Sequence, residues 1–264
     1  LPGDGGKSVL NDAEVVREFL PMLGHVDGIV FDAVGTIIIP RQDVARVYAD
    51  AGFRFGIAAD PDALRLRFRR AFQQEEAVDE QHGWAVDEAR ERARWQAIVQ
   101  TALPGAPEQC FEYLFDYYAT PEAWQVVPGA VELLESLTAR GLLLGLASNF
   151  DARLERIAAA LPGLQAVARR LVISSRVGVR KPHPKFFQAA ADRLGAAASR
   201  LAYLGDDPRN DFFGAQQAGW LAILYDPQDR YPAIQPRIRQ FAELLQAELP
   251  LPMHLSGGRE STMD

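Results

Sequence analysis

The sequence holds a single cysteine, Cys110, among 264 residues. One thiol excludes an internal disulfide and fits a reducing compartment. Its setting in EQCFEYLF, at helical spacing among apolar residues, predicts a core thiol. No apolar run approaches the ~20 residues that span a bilayer, and the first residues lack a secretory pattern. The reading is therefore a cytoplasmic protein with no membrane association. Charge of one sign is never concentrated, although the net charge is −7 and the pI near 5.2. The densest basic patches, RLRFRR and EARERARW, are interleaved with apolar or acidic residues and read as solvated helix faces, so nucleic acid is not an expected partner. No pair among the histidines has metal-ligand spacing, and His25, His183 and His254 read as structural or incidental. Internal repeats and low-complexity segments are missing too.

What is present is 48% hydrophobic and 24% charged, enough for one large core with a smaller appended domain. The polar, glycine-rich ends, LPGDGGKS and HLSGGRESTMD, read as disordered tails, the second within 251–264. Between them lie apolar runs without polar alternation: GIVF (28–31), LLLGLA (142–147), LVIS (171–174), LAYLG (201–205) and LAILY (221–225). Such runs predict central strands covered on both faces. Helical patterns separate the later ones. PGAVELLESLTARG ends in a glycine suited to a C-terminal cap, while DARLERIAAALPG offers Asp151 as an N-cap. Pro184 is placed as a first helical residue, as is Pro208 behind an Asp207 cap. The alternation describes an α/β protein with a doubly wound, Rossmann-like parallel sheet whose ligands gather at the carboxyl ends of the strands. From Pro40 to Gln125 no convincing strand appears. Apolar residues there recur at three and four, predicting four helices inserted after the first strand, with their aromatic residues forming a core.

Four polar clusters follow strands and are expected to converge: Asp32 with Gly35 and Thr36, Ser148 with Asn149, Lys181 in VGVRKPHP, and GDDPRND from Gly205 to Asp211. Each alone has a plain reading as a cap or a surface residue. Together they describe an anion site with a divalent metal. Carboxylates supply the hard oxygen ligands that Mg2+ takes, and Ser148, the Asn149 backbone and Lys181 can hold phosphoryl oxygens.

The ordered set, Asp-x-x-Gly-Thr, a strand ending in Ser, Lys-Pro, then Gly-Asp with another Asp five residues on, resembles the haloacid dehalogenase-like (HAD) superfamily over about residues 26–226. The helical insert is similar to that family's C1 cap, and SNFDARL and KPHPKFF look like a phosphatase-like subgroup. The resemblance implies a discontinuous core domain (1–39 and 126–250) and a helical cap domain (40–125). It implies a Mg2+-dependent phosphatase or phosphotransferase acting on a small phosphorylated metabolite. Asp32 becomes the nucleophile that forms an aspartyl-phosphate. Mg2+ is held by Asp32, the backbone carbonyl of Val34 and Asp206, with Asp211 completing or buttressing the site. Thr36, Ser148, Asn149 and Lys181 meet the phosphoryl group, and Asp207 is either an outer ligand or a helix cap.

One position departs from the pattern. Where family phosphatases usually have a second Asp that protonates the leaving oxygen, this chain has Val34. General acid–base help is worth ~10²–10⁴-fold, so its loss is severe for an alkyl phosphate and milder for an acyl or aryl one. Two alternatives follow from family members lacking that acid, and a third comes from a different class. A 2-haloacid dehalogenase is suggested by DAVGT and SN, but Phe187 stands where a Tyr is usual and GDDPRND keeps acids that a metal-free enzyme does not need. The absence of any lysine from Pro40 to Gln125 argues strongly against a lysine-dependent phosphonatase. A catalytically weakened protein that binds a phosphorylated ligand or a partner is the third. QQEEAVDEQHGW offers Glu75, Glu76, Asp79, Glu80 and His82 near an expected cap loop as replacement acids, and Arg41 follows the first motif. Charge runs of that kind usually form solvated helix ends, and that is the expectation here.

Overall fold

A computed structural model describes residues 23–245. The expected tails and His254 lie outside the described residues, as do the outer ends of the expected core domain. Gly28–Phe31 forms β1, buried along its whole length. Its Ile29 and Phe31 pack into one apolar layer and Val30 into the other, as the alternation of a strand requires. Ile38–Pro40 is β2, and four helices follow: α1 (Val44–Arg54), α2 (Pro61–Gln81), α3 (Glu88–Ala102) and α4 (Glu108–Tyr117). Trp124–Val126 is β3, and the chain then alternates helices with β4 (Leu143–Ser148), β5 (Leu171–Ile173), β6 (Leu201–Gly205) and β7 (Leu221–Tyr225). A two-residue strand, β8 (Arg237–Ile238), closes the edge.

The main sheet runs β5-β4-β1-β6-β7-β8 with every pair parallel. This is the doubly wound sheet that the apolar runs predict, with β8 added; two residues are too short to carry a periodic signal. Strand β1 lies between β4 and β6, with Phe31 opposite both Leu146 and Leu204. The carboxyl ends of these three strands are therefore neighbours. The helix Ala130–Ala139 stops ahead of Gly141, whose φ of +80° is a left-handed turn that glycine adopts without strain. Pro184 begins its helix, and His183 has a definite role as its N-cap, its ring accepting from the Lys185 N–H at 3.1 Å. Asp207 caps Pro208–Phe213, accepting from the Arg209 and Asn210 N–H groups at 2.8 and 2.9 Å. Asp151 stands two residues before the helix Arg153–Ala160, and its Oδ1 accepts the Arg153 N–H at 3.1 Å as a cap does, while both its oxygens also bind that residue's guanidinium.

Helices α1–α4 bury their own apolar cluster, including Tyr48, Leu64, Val99, Leu103 and Cys110. The expectation of no strand between Pro40 and Gln125 fails at its edges. Strands β2 and β3 pair antiparallel, Pro40 opposite Trp124 and Ile38 opposite Val126, so both chain crossings between sheet and helices run through one short ribbon. Two charged segments also depart from expectation. Helix α2 continues to Gln81, leaving no loop at 75–80, and Asp79 is fully buried rather than at a solvated end. In α3, Glu91 and Arg94 are buried too. The reason is convergence of charge from two regions, since Asp79 receives Arg90 and Arg94 from α3 and Arg180 from the segment before Lys181.

Candidate active site

Asp32 stands one residue beyond β1, Ser148 ends β4, and Asp206 follows the end of β6. Carboxylate oxygens of Asp32, Asp206 and Asp211 lie within 4.8 Å of one another. Lys181 reaches into this cluster, its Nζ donating to Asp32 Oδ1 at 2.5 Å and to Asp211 Oδ1 at 2.6 Å. It is not the surface lysine of the plain reading, being almost wholly buried. Burial alone would lower its pKa, but the charges of Asp211 and Asp32 outweigh that and hold it well above the usual range.

Several contacts fix the ammonium. It also donates to the Tyr203 hydroxyl at 3.0 Å, which donates in turn to the Ala147 carbonyl at 2.7 Å. The Asn149 side chain clamps the Lys181 backbone from both sides, accepting its N–H at 2.8 Å and donating to its carbonyl at 3.1 Å. That engagement leaves the Asn149 backbone, rather than its side chain, for an anion. The second oxygen of Asp211 accepts from the Asp207 N–H at 3.0 Å, so Asp211 is held by the turn of π-helix that begins at Pro208. Thr36 is fully buried, and its hydroxyl lies 3.4 Å from Asp206 Oδ1. In this arrangement it supports a carboxylate. Ser148 is buried beside the cluster's strand ends.

Glycines permit the approach of the acids. A side chain at Gly35, where φ is +99°, would bring its Cβ within 2.5 Å of the Asp206 oxygens, and one at Gly205 would overlap the Asp211 carboxyl group. Burial, with Asp32 and Asp207 nearby, pushes Asp206 up to about 7 against the pull of Lys181 and Arg230. Three carboxylates against one ammonium leave two formal negative charges in a shielded space. That charge and an all-oxygen donor set fit one divalent hard cation.

Val34 contributes no polar side-chain atom. It instead lines an apolar cavity with Phe150 and aromatic residues of α1–α4. The charged residues considered as replacement acids are tied elsewhere: Glu75 to Arg90, Glu76 to Asn210, Glu80 to Arg209, and Asp79 to the three arginines. His82 meets the Val78 carbonyl, and Arg41 donates to the carbonyls of Glu122 and Trp124. Sequence reasoning missed Tyr203 and Arg180. The first was signalled only by a hydroxyl within a wholly apolar strand, the second only by its place before Lys181.

The family described as haloacid dehalogenase-like hydrolase matches residues 26–219. The chain belongs to that family. It is 29% identical over 203 residues to haloacid dehalogenase-like hydrolase domain-containing protein 3 of Mus musculus, covering 74% of this chain and 80% of that one. It is 31% identical over 163 residues to the phosphoserine phosphatase of Thermus thermophilus, covering 60% of this chain and 65% of the relative. Among solved structures, a dehalogenase described with an intermediate complex superposes with a TM-score of 0.65 at 19% identity, covering 85% of this chain and 98% of that one. The last likeness bears on the fold alone. Among the described residues, no helix is long and apolar enough to cross a membrane.

Proposed function

We propose that this HAD hydrolase is a Mg2+-dependent phosphohydrolase or phosphotransferase for a small phosphorylated metabolite. The observation that carries the reading is the buried set of Asp32, Asp206 and Asp211 around Lys181. In this reading residues 1–39 and 126–250 form the core domain and 40–125 a helical cap over it. Asp32, Asp206 and the Val34 carbonyl would hold Mg2+, with Asp211 buttressing it. When bound, the ion supplies charge that offsets the phosphoryl oxygens. Asp32 Oδ attacks phosphorus while Lys181, Ser148 and the Asn149 N–H hold the phosphoryl oxygens in line. Lys181 keeps its proton throughout, because two carboxylates surround it. Val34 can neither give nor take a proton, so departure depends on the leaving group's own acidity. The resulting aspartyl-phosphate is then opened by water without a base at that position, which favours its accumulation.

The 2-haloacid alternative is disfavoured by the same cluster. A carboxylate substrate would meet three carboxyl groups and a lysine already shared by two of them. The test is phosphate release from aryl, acyl and sugar phosphates with Mg2+ or with chelator, together with acid quenching to trap covalent phosphate. Activity lost on chelation and in Asp32→Asn, with label on Asp32, is the expected result. Halide release from 2-haloacids in chelator, or an Asp32→Asn variant as active as the natural chain, would overturn it.

A further inference from the structure

Val34, two residues after Asp32, and Phe150, next to Asn149, line a cavity of about 190 Å³. Its remaining walls are nearly all apolar or aromatic and come mostly from α1–α4, among them Tyr48, Phe72, Trp95 and Val99. The single charged residue on the wall, Arg153, is held by Asp151 and Phe115. Its Nε and Nη2 bind Asp151 at 2.8 and 2.7 Å, its Nη1 binds the Phe115 carbonyl at 3.1 Å, and its plane lies over the Phe115 ring at 3.6 Å. A sugar or carboxylate seated there would find its polar groups unpaired, which is costly in an apolar space. A neutral ring would not. The volume is comparable to the roughly 150 Å³ apolar cavity that takes up benzene.

We propose that the leaving group is a single-ring phenol, so that the substrate class is an aryl phosphate monoester with its ring in this cavity. This rests on the phosphoryl-transfer reading above. An Asp32 oxygen bonds to phosphorus as the bond from phosphorus to the aryl oxygen breaks. The electron pair leaves on the phenol oxygen, which takes a proton from water. A water molecule then cleaves the aspartyl-phosphate, releasing inorganic phosphate and restoring the carboxylate. A phenol of pKa about 10 leaves unprotonated far more readily than an alcohol, whose pKa is close to the ~16 of water. The missing acid at position 34 and the aromatic wall that Val34 helps to build thus point to one substrate chemistry.

The experiment measures phosphate release from phenyl phosphate, 1-naphthyl phosphate and glycerol phosphate by the full chain with Mg2+. Phenol is titrated alone by the fluorescence of Trp95 and Trp124, which line the cavity. Wild type is expected to bind phenol and to favour phenyl over glycerol phosphate by roughly 10–100-fold or more in kcat/KM. Val99→Phe, which fills the cavity, should weaken phenol binding and cut the phenyl preference at least tenfold. That change separates the cavity from the intrinsic reactivity of aryl esters. Should Val99→Phe not fold, Phe72→Ala decides, because the enlarged cavity should raise 1-naphthyl relative to phenyl phosphate. Glycerol phosphate turned over as well as phenyl phosphate, silent in Asp32→Asn and with no phenol binding, overturns the aromatic proposal while leaving phosphoryl transfer standing. Undiminished activity of Asp32→Asn on both esters overturns the two together.

Discussion

Val34→Asp is the substitution whose effect depends most directly on what leaves. Val34 is half-buried and lines the apolar cavity, so a carboxyl group placed there would face an apolar wall two residues from Asp32. Such surroundings favour the neutral form of a carboxyl group and keep a proton available near neutral pH. For glycerol phosphate, whose alkoxide is a poor leaving group, the new acid should recover much of the ~10²–10⁴-fold that general catalysis supplies, or about 3–5 kcal/mol of barrier. For phenyl phosphate the gain in the first step should stay below about tenfold, since a phenolate departs with little help. The cost falls on stability. Part of the roughly 1.5–3 kcal/mol of a buried valine is lost, lowering Tm by a few degrees at about 2–4 °C per kcal/mol. Steady-state kcat/KM on both esters, with single-turnover release of the alcohol, reads the two gains separately. An equal gain for both esters, or none for glycerol phosphate in a folded variant, would refute the reading that a proton donor is missing at position 34.

Asp79→Asn removes the charge that three arginines share, and breaking a buried network by deleting one partner costs about 3–5 kcal/mol. A Tm drop of roughly 6–20 °C is expected by calorimetry, and a shift under 2 °C would show that Arg90, Arg94 and Arg180 do not depend on Asp79. Tyr203→Phe leaves the Ala147 carbonyl without its donor and removes one acceptor from Lys181, at about 1–3 kcal/mol; denaturant melts unchanged within error would contradict that pairing. Burial pushes the Cys110 thiol up, so little thiolate is exposed to reagents. Alkylation by iodoacetamide at pH 8 should therefore track unfolding, and stoichiometric labelling of the native chain within minutes would place Cys110 at a surface.

What the sequence makes legible follows from how local each signal is. GIVF, LLLGLA and LAYLG announce themselves because a strand covered on both faces must be apolar at every position, while the sheet order that makes the ends bearing Asp32, Ser148 and Asp206 neighbours is read from the structure. The convergence of Lys181 is legible as chemistry but not as geometry. Its environment depends on Asp32 and Asp211, 149 and 30 residues away in the chain. Strands β2, β3 and β8 escape because two or three residues carry no period, so their existence rests on partners rather than on pattern.

The charged segments fail for a different physical reason. A run such as QQEEAVDEQHGW looks solvated because burying a carboxylate is prohibitive unless cations arrive to meet it, and those that meet Asp79 come from α3 and from Arg180, over a hundred residues later. Arg180 is the residue before Lys181, and its backbone N–H donates to the Trp84 carbonyl at 3.0 Å while Val86 donates to the Gly178 carbonyl at 3.1 Å. The α2–α3 connection is thus fastened along the strip of backbone that leads into the buried ammonium. The side chains that make the helical insert look like an independent, water-facing bundle in the sequence are the ones that join it to the segment leading into Lys181. Under the proposal of an aryl substrate, the insert's aromatic wall and the Asp32 cluster are taken as one site, and Val34, which lines the cavity two residues after Asp32, is the residue that links them.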